Sequence, residues 1–216
     1  MTQIKEKTAI KAWKKILDHV LREGREFIDR RDNLCKESLN VVATVESVEN
    51  VLKPIKILNM FNKWIYPSPE QIKESILGND PHSSEYYYNY GERAFSFNGL
   101  NQIDSYIIPL LKKNPNSKRA IVVFFNPEKD IADNKKEIPG LVMMNFNIRD
   151  GKINTTMVIR SNDMFHGWPA NIAQAYFITE YLSKELNYPI GDLTTVSVSA
   201  HIFEGQFEDI GKVVGR

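Results

Sequence analysis

Residues 160–173, RSNDMFHGWPANIA, form the stretch that decides how the second half of the chain folds. They follow residues 153–159, which together with residues 141–148 flank Asp150-Gly151, and Asp-Gly between two apolar segments is a strong β-hairpin signal. They precede residues 172–186, where apolar side chains recur at three- and four-residue steps, as on the buried face of a helix. The stretch is therefore predicted to connect the second strand of a hairpin to a long helix.

The remaining segments complete a predicted α+β fold, in which helices pack against a sheet. The predicted helices are residues 8–22, which end at Gly24, and residues 70–76, 102–112 and 172–186. The predicted strands are residues 39–45, 119–125, 141–148, 153–159 and 193–203. A charged turn is predicted at residues 29–33, and loops at 129–137 and over the parts of 66–85 outside the short helix. The chain shows no internal repeat and no Gly/Ser linker, so residues 1–216 are predicted to form one domain.

Composition and charge limit the classes of protein to which this chain can belong. A formal net charge of +1 gives no overall field that would attract nucleic acid or an anionic membrane, so an anionic ligand must be held by a local cluster of cations. No apolar run approaches the roughly 20 residues of a membrane span, and the N-terminus lacks an apolar signal core. Cys35 is the single cysteine, and no metal-ligand pattern occurs. We therefore expect a cytoplasmic protein without a metal, a nucleic-acid partner or a membrane partner.

The polar residues of 160–173 are the densest candidate site. Arg160 offers a forked donor for phosphate or carboxylate, and Ser161 adds a hydroxyl. Asn171, near the start of the predicted helix, can cap that helix or bind the polar edge of a ligand. The alternative is that Arg160 pairs with Asp163 at the surface and Asn171 is only a cap. The cluster alone leaves both interpretations open.

The motif Arg160-Ser161-x-Asp163, followed by Gly167-x-Pro169-x-Asn171-Ile172-Ala173, resembles the nucleotide-binding motif of the thymidylate synthase and pyrimidine-nucleotide hydroxymethylase family. Further landmarks follow in family order over roughly residues 86–205. They are Tyr90-Gly91, Asn101-Gln102, Asn114-Pro115 with Ser117-Lys118-Arg119, Asn126-Pro127 with Asp130, Asp150-Gly151-Lys152, Gly191-Asp192 and His201-Ile202-Phe203. The resemblance implies a mixed sheet with packed helices, a homodimer and a pyrimidine nucleoside monophosphate as ligand.

The resemblance assigns the phosphate of the ligand to cations and a hydroxyl. Arg160 and Ser161 are implied to hold the phosphate. Gly24 with Asp29-Arg30 resembles the family's phosphate loop, which implies a further phosphate contact from Arg30. Lys118 and Arg119 are implied to reach the site from the partner subunit of the homodimer. Lysine keeps the charge of the family's arginine but not its fork, so contact by Lys118 is expected to be less directional.

The resemblance assigns the base and the sugar to three other side chains. Asn171 is implied to bind the pyrimidine edge, and an amide offers both the donor and the acceptor that uracil requires. His201 and Phe203 take the places of the family's histidine and tyrosine at the sugar hydroxyl. Phe203 cannot donate a hydrogen bond, so ribose is expected to be tolerated.

The chain departs from the family at the nucleophile. Gly140 occupies the position of the cysteine that attacks C6 of the base, and Cys35 lies far upstream and is interpreted as an incidental thiol. No counterpart of the family's catalytic glutamate is evident. Base chemistry would then fall to Asp163 or His166, although His166 can equally be a surface residue.

Three functions are compatible with these features. The first is a divergent transferase, for one-carbon transfer or hydroxymethylation, that acts without the cysteine. The second is an inactive nucleotide-binding or regulatory homologue, and the third is a structural homologue. The resemblance implies a reduced folate, 5,10-methylenetetrahydrofolate, as the one-carbon donor, but the chain ends at Arg216, so a short or absent C-terminal tail is expected to weaken folate binding. The cofactor is left open.

Overall fold

A computed structural model of the protein describes residues 1–78, 88–131 and 138–216. The strands are β1 (Thr2–Glu6), β2 (Arg25–Ile28), β3 (Leu34–Val45), β4 (Ile121–Val123), β5 (Leu141–Arg149), β6 (Lys152–Asp163) and β7 (Ile190–Phe203). The α-helices are α1 (Ala9–Glu23), α2 (Lys53–Leu58), α3 (Pro69–Ile76), α4 (Tyr90–Phe95), α5 (Ile108–Lys113), α6 (Pro127–Asp130), α7 (Gly167–Leu186) and α8 (Phe207–Val214). A π-helix, Ile103–Ile107, leads into α5, and a 3-10 turn, Glu204–Gln206, leads into α8.

The strands form one mixed sheet, which confirms the predicted α+β fold. Its order is β1-β3-β7-β6-β5-β4, and β2 pairs with the first part of β3. The hairpin of β5 and β6 turns at Asp150 and Gly151, whose φ angles of 51° and 70° fit a tight hairpin turn. β6 and β7 run parallel, and α7 makes the crossover between them.

In β6 and β7 the buried side chains switch from odd-numbered to even-numbered positions near the end of each strand, and this switch positions the site residues. In β6 the buried side chains are at odd positions up to Ile159 and at the even position Asn162 afterwards. In β7 they are odd up to Ser197 and even from Ala200. Because successive side chains of a strand point to opposite faces, the odd-numbered residues beyond these points leave the core side. Ser161, Ser199, His201 and Phe203 all lie in that part of their strands.

Several predicted boundaries were wrong. β3 begins at Leu34, five residues before the predicted strand, while the strand predicted over 119–125 is reduced to β4. α7 begins at Gly167, so Asn171 lies inside the helix, and the interpretation of Asn171 as a cap is wrong. The predicted loop at 129–137 begins within α6. Residues 79–85 and 132–137 of the predicted loops lie outside the described residues.

Within the three described ranges, every helix is too short or too polar to cross a membrane.

Candidate functional site

A cavity of about 370 Å³ opens where β3, β7 and β6 lie side by side, and we call it the β3–β7 cavity. It is lined by Phe27, Asp29, Arg30, Arg31, Asn33, Cys35, Glu37, Ser161, Ser199, His201 and Phe203. Four residues predicted for the site, Arg30, Ser161, His201 and Phe203, therefore line one cavity. They come from the turn between β2 and β3 and from the ends of β6 and β7.

The strand register explains why these side chains meet. Glu37 on β3 is opposite His201 on β7, and Cys35 is opposite Phe203. Across the other edge of β7, Ser161 of β6 is opposite Ser199. Residues two apart on a strand share a face, so the three strands present one continuous polar surface to the cavity.

Hydrogen bonds connect three side chains of this surface. Ser199 Oγ donates a short hydrogen bond to Glu37 Oε1 and lies 3.5 Å from His201 Nδ1. The His201 ring is held edge-on against Phe203, with ring centroids 5.2 Å apart. Glu37 and Ser199 were not predicted as site residues.

Cys35 also lines the cavity, which the sequence interpretation missed. The residue is 1% exposed, and its thiol donates to Asn33 O at 3.5 Å. Burial, followed by the negative charges of Asp29, Asp163 and Glu37, raises the pKa of the Cys35 thiol. A thiol is nucleophilic as its thiolate, so this environment suppresses the reactive form.

Asp163 lies at the end of β6 and is held by donors on several sides. Its Oδ1 accepts from Phe165 N at 2.8 Å and from His166 N at 3.1 Å, and its Oδ2 accepts from Gln206 Nε2 at 2.8 Å. Burial alone would raise the pKa of Asp163, but hydrogen bonds and charge from His166, with the Gln206 amide, hold it below its ordinary value. Asp163 is therefore an ionised carboxylate at neutral pH.

His166 stands next to this carboxylate, and Gln206 orients it. Gln206 Oε1 accepts from Phe203 N at 2.9 Å, which turns its Nε2 towards Asp163 and places it 3.1 Å from His166 Nδ1. Trp64 packs edge-on against the imidazole at 4.5 Å. Among the described residues, the buried Nε2 of His166 has no hydrogen-bond partner. The ring is 24% exposed, so His166 is neither a fully solvated surface histidine nor a residue of the sealed core.

Gly140 lies directly against the end of β6. Its carbonyl accepts from Arg160 N at 2.8 Å, and a Cβ added at this glycine would lie 3.0 Å from Ser161 O and 3.7 Å from Tyr90 Oη. Tyr90 Oη accepts from Leu141 N at 3.0 Å. The strand therefore approaches Gly140 too closely for a side chain to enter without a small shift.

Arg160 does not pair with Asp163. Its Nε donates to Pro139 O at 2.9 Å and its Nη2 to Ile138 O at 2.8 Å, while the residue itself is exposed. The guanidinium therefore fixes the segment that leads into Gly140. It does not line the β3–β7 cavity in this chain.

Three other predicted residues also lie outside that cavity. Asn171 donates from Nδ2 to Gln174 Oε1 at 3.3 Å, and its carboxamide lies beside Gly167. Lys118 and Arg119 are exposed, between α5 and β4. The structure thus brings together the predicted phosphate-loop and sugar residues and leaves Asn171, Lys118 and Arg119 apart from them.

Trp168 lies in the first turn of α7. It is fully buried, and its Nε1 donates to Thr195 Oγ1 at 2.9 Å. The indole therefore packs in the core and cannot stack on a ligand.

Comparison with known proteins identifies the family. A family model described as thymidylate synthase matches residues 48–216. A protein of Methanothermobacter thermautotrophicus named "Putative thymidylate synthase" is 30% identical over 213 residues, which cover 94% of this chain and 93% of the relative. A protein of the same name from Methanosarcina barkeri is 29% identical over 212 residues, covering 98% of this chain and 94% of the relative. These matches confirm the resemblance found in the motifs, and the chain belongs to the thymidylate synthase family.

Proposed function

We propose that the chain binds a pyrimidine nucleoside monophosphate in the β3–β7 cavity. The observation that carries this proposal is the convergence of Arg30, Ser161 and His201 on one cavity in a member of this family. A guanidinium and a hydroxyl suit a phosphate group, and an imidazole suits a sugar hydroxyl. The cations Lys118 and Arg119 complete the phosphate site when a second subunit is present.

The base would extend from the sugar towards Gly140 and the start of α7. There Asn171 offers a carboxamide for the O4 and N3–H of uracil. Asp163 is an ionised acceptor, and His166 has an unpaired buried nitrogen. These two groups are the candidates for proton transfer at the base.

The proposed chemistry at the base proceeds without a cysteine nucleophile. Gly140 has no side chain to attack C6, and the environment of Cys35 keeps its thiol protonated. A transferase reaction would then use a substrate that is already nucleophilic, or one activated by Asp163 or His166. One-carbon transfer and hydroxymethylation are the reactions that the family favours.

We also expect a homodimer formed through the open face of the sheet. On β5, β6 and β7 the side chains between the core positions include Val142, Met143, Val158, Val196 and Val198, which belong to neither buried core cluster. Val198 is 43% exposed. The same face also carries polar side chains such as Asn145, Asn147, Thr156 and Thr194, so the five apolar residues form a patch within it. An apolar patch of this kind favours an isologous contact, which would give two equal sites.

The alternative is an inactive nucleotide-binding or regulatory homologue. Two observations favour it: position 140 is a glycine, and the surroundings of Cys35 raise the pKa of its thiol, so neither position supplies an activated nucleophile. Binding would be retained in this case and turnover lost.

Calorimetry with UMP, dUMP, CMP and dCMP tests nucleotide binding, which the transferase and the inactive homologue share. We expect saturable binding of at least one nucleotide, weakened by Ser161→Ala and unaffected by Ser105→Ala, a change on the exposed π-helix. The absence of heat and of a thermal shift with all four nucleotides would contradict the proposal. Incubation of the labelled nucleotide with methylenetetrahydrofolate, followed by mass spectrometry of the small molecules, separates the transferase from the inactive homologue.

A further inference from the structure

Glu37 is an acidic side chain in a cavity for which we propose an anionic ligand. It lines the β3–β7 cavity directly opposite His201. Both oxygens of Asp29, the other carboxylate of the lining, accept hydrogen bonds within their own turn: Oδ1 from Arg31 N and Asn33 N, and Oδ2 from Asn33 Nδ2. Glu37 therefore differs from Asp29, whose oxygens hold the turn between β2 and β3.

The hydrogen bonds of Ser199 determine which atoms of Glu37 and His201 can still accept a hydrogen bond from a ligand. The single hydroxyl proton of Ser199 is donated to Glu37 Oε1, so Ser199 Oγ can only accept from His201 Nδ1. A neutral His201 with its proton on Nδ1 has an acceptor at Nε2. In the part of the chain that the structure describes, Glu37 Oε2 has no hydrogen-bond partner. The part of the cavity around Ser199 thus presents two neighbouring acceptors, Glu37 Oε2 and His201 Nε2.

Among the described residues, the other side chains of the lining donate no hydrogen bond to Glu37 Oε2 or His201 Nε2. Phe203 and Phe27 are hydrocarbon rings, and the Cys35 thiol is directed to Asn33 O. A ligand with two adjacent donors, such as a pair of neighbouring hydroxyls, therefore matches these acceptors. A ribose has such a pair at its 2′ and 3′ positions, whereas a deoxyribose has one hydroxyl there.

We infer that Glu37 is a specificity residue that binds the ribose 2′-hydroxyl, so that the site selects ribonucleotides over deoxyribonucleotides. This inference rests on the proposed function. Carboxylates bind the ribose 2′-hydroxyl in dinucleotide-binding folds by the same chemistry. A deoxyribonucleotide leaves the Glu37 carboxylate desolvated without a donor, which costs affinity. The proposed function assigns the phosphate to Arg30 and Ser161 of the same cavity, and this inference assigns the ribose hydroxyls to Glu37 and His201.

The test is calorimetry of UMP and dUMP with the unaltered protein and with Glu37→Gln. We expect UMP to bind at least tenfold more tightly than dUMP, and we expect Glu37→Gln to reduce that ratio below about threefold, mainly by weakening UMP. Glu26→Gln is the matched control, because Glu26 is an exposed acid on the neighbouring strand β2 and does not line the cavity. Its UMP to dUMP ratio should equal that of the unaltered protein.

A second variant, Ser199→Ala, keeps the test valid if Glu37→Gln does not fold. It removes the donor that orients the carboxylate and should also lower the ratio. Equal binding of UMP and dUMP to the unaltered protein would overturn the role of Glu37 while leaving the proposed function intact. A ratio that neither variant changes would overturn it as well. No binding of UMP, dUMP, CMP or dCMP to the unaltered protein would instead overturn the proposed function.

Discussion

Ser199 donates a hydrogen bond to Glu37 across β7 and β3, although 162 residues separate them in the chain. The pair connects β3, near the N-terminus, to β7, the last strand along the sequence, which lies between β3 and β6 in the sheet. One wall of the β3–β7 cavity therefore comes from residues 27–37, and the other comes from the ends of β6 and β7. Neither half of the chain forms the cavity alone.

Arg160→Ala should weaken binding of the nucleoside monophosphate by about 1.5–3 kcal/mol, the range for hydrogen bonds to charged groups. In the structure the guanidinium lies outside the β3–β7 cavity and holds the carbonyls of Ile138 and Pro139, so this loss requires that the guanidinium turn from these carbonyls to the phosphate when the nucleotide binds. Calorimetry measures the loss, and Arg22→Ala, an exposed arginine in the last turn of α1, is the control. An affinity equal to that of the unaltered protein would remove Arg160 from the site.

The protein should sediment as a dimer at micromolar concentration, because an apolar sheet face is stabilised by pairing. Val198→Asp should convert it to a monomer, since a charge on that face would be buried in the contact without a partner. Ile65→Asp places the same charge on a fully exposed apolar residue elsewhere and should leave the dimer unchanged. A monomeric unaltered protein would exclude Lys118 and Arg119 from the phosphate site.

Alkylation of Cys35 should have a shifted pH dependence. Because the folded environment raises the pKa of the thiol, the thiolate should form at higher pH than the ordinary value of about 8.5. The iodoacetamide rate in the folded protein should therefore still be rising above that pH, whereas the chain in guanidinium should follow the ordinary titration. A midpoint at or below pH 8.5 in the folded protein would mean that Cys35 is an activated thiol.

5-Fluoro-dUMP with methylenetetrahydrofolate should leave no adduct on the protein in denaturing mass spectrometry. Trapping of this kind needs a side chain that attacks C6, and neither Gly140 nor the protonated Cys35 supplies one. An adduct on Cys35 would restore an ordinary synthase mechanism with a displaced nucleophile.

Two variants at position 140 extend this test. Gly140→Ala should cost about 1 kcal/mol of stability, because its Cβ would press on Ser161 O at 3.0 Å. Gly140→Cys adds only the thiol to that change, so trapping by Gly140→Cys and not by Gly140→Ala would show that the position retains the family geometry. A melting temperature equal to that of the unaltered protein in both variants would contradict the close approach.

The site residues at the ends of β6 and β7 could be predicted from the sequence, whereas those in the first part of β3 could not. Ser161, His201 and Phe203 follow apolar strands and belong to recognisable motifs, so their convergence was expected. Cys35 and Glu37 lie in a segment whose charges mask the strand, and β2 is exposed at all four positions, so it carries no alternation of polarity. Their place in the cavity depends on long-range pairing with β7, which no local pattern records.

The start of α7 was missed for a different reason. Gly167 and Pro169 are residue types that disfavour a helix, and the apolar periodicity begins at Ile172, so the helix was predicted to start there. Proline is tolerated in the first turn, where the backbone N–H groups have no partner within the helix. As a result, Asn171 faces Gly167 and Gln174 inside the helix.

A crystal structure of the protein with UMP tests the central claim, that the β3–β7 cavity is the nucleotide site, most directly. We expect the phosphate within hydrogen-bonding distance of Arg30 and Ser161 Oγ, and the ribose against His201 and Glu37. A nucleotide bound outside the cavity lined by these residues, or electron density joining the pyrimidine to Cys35 Sγ, would contradict it.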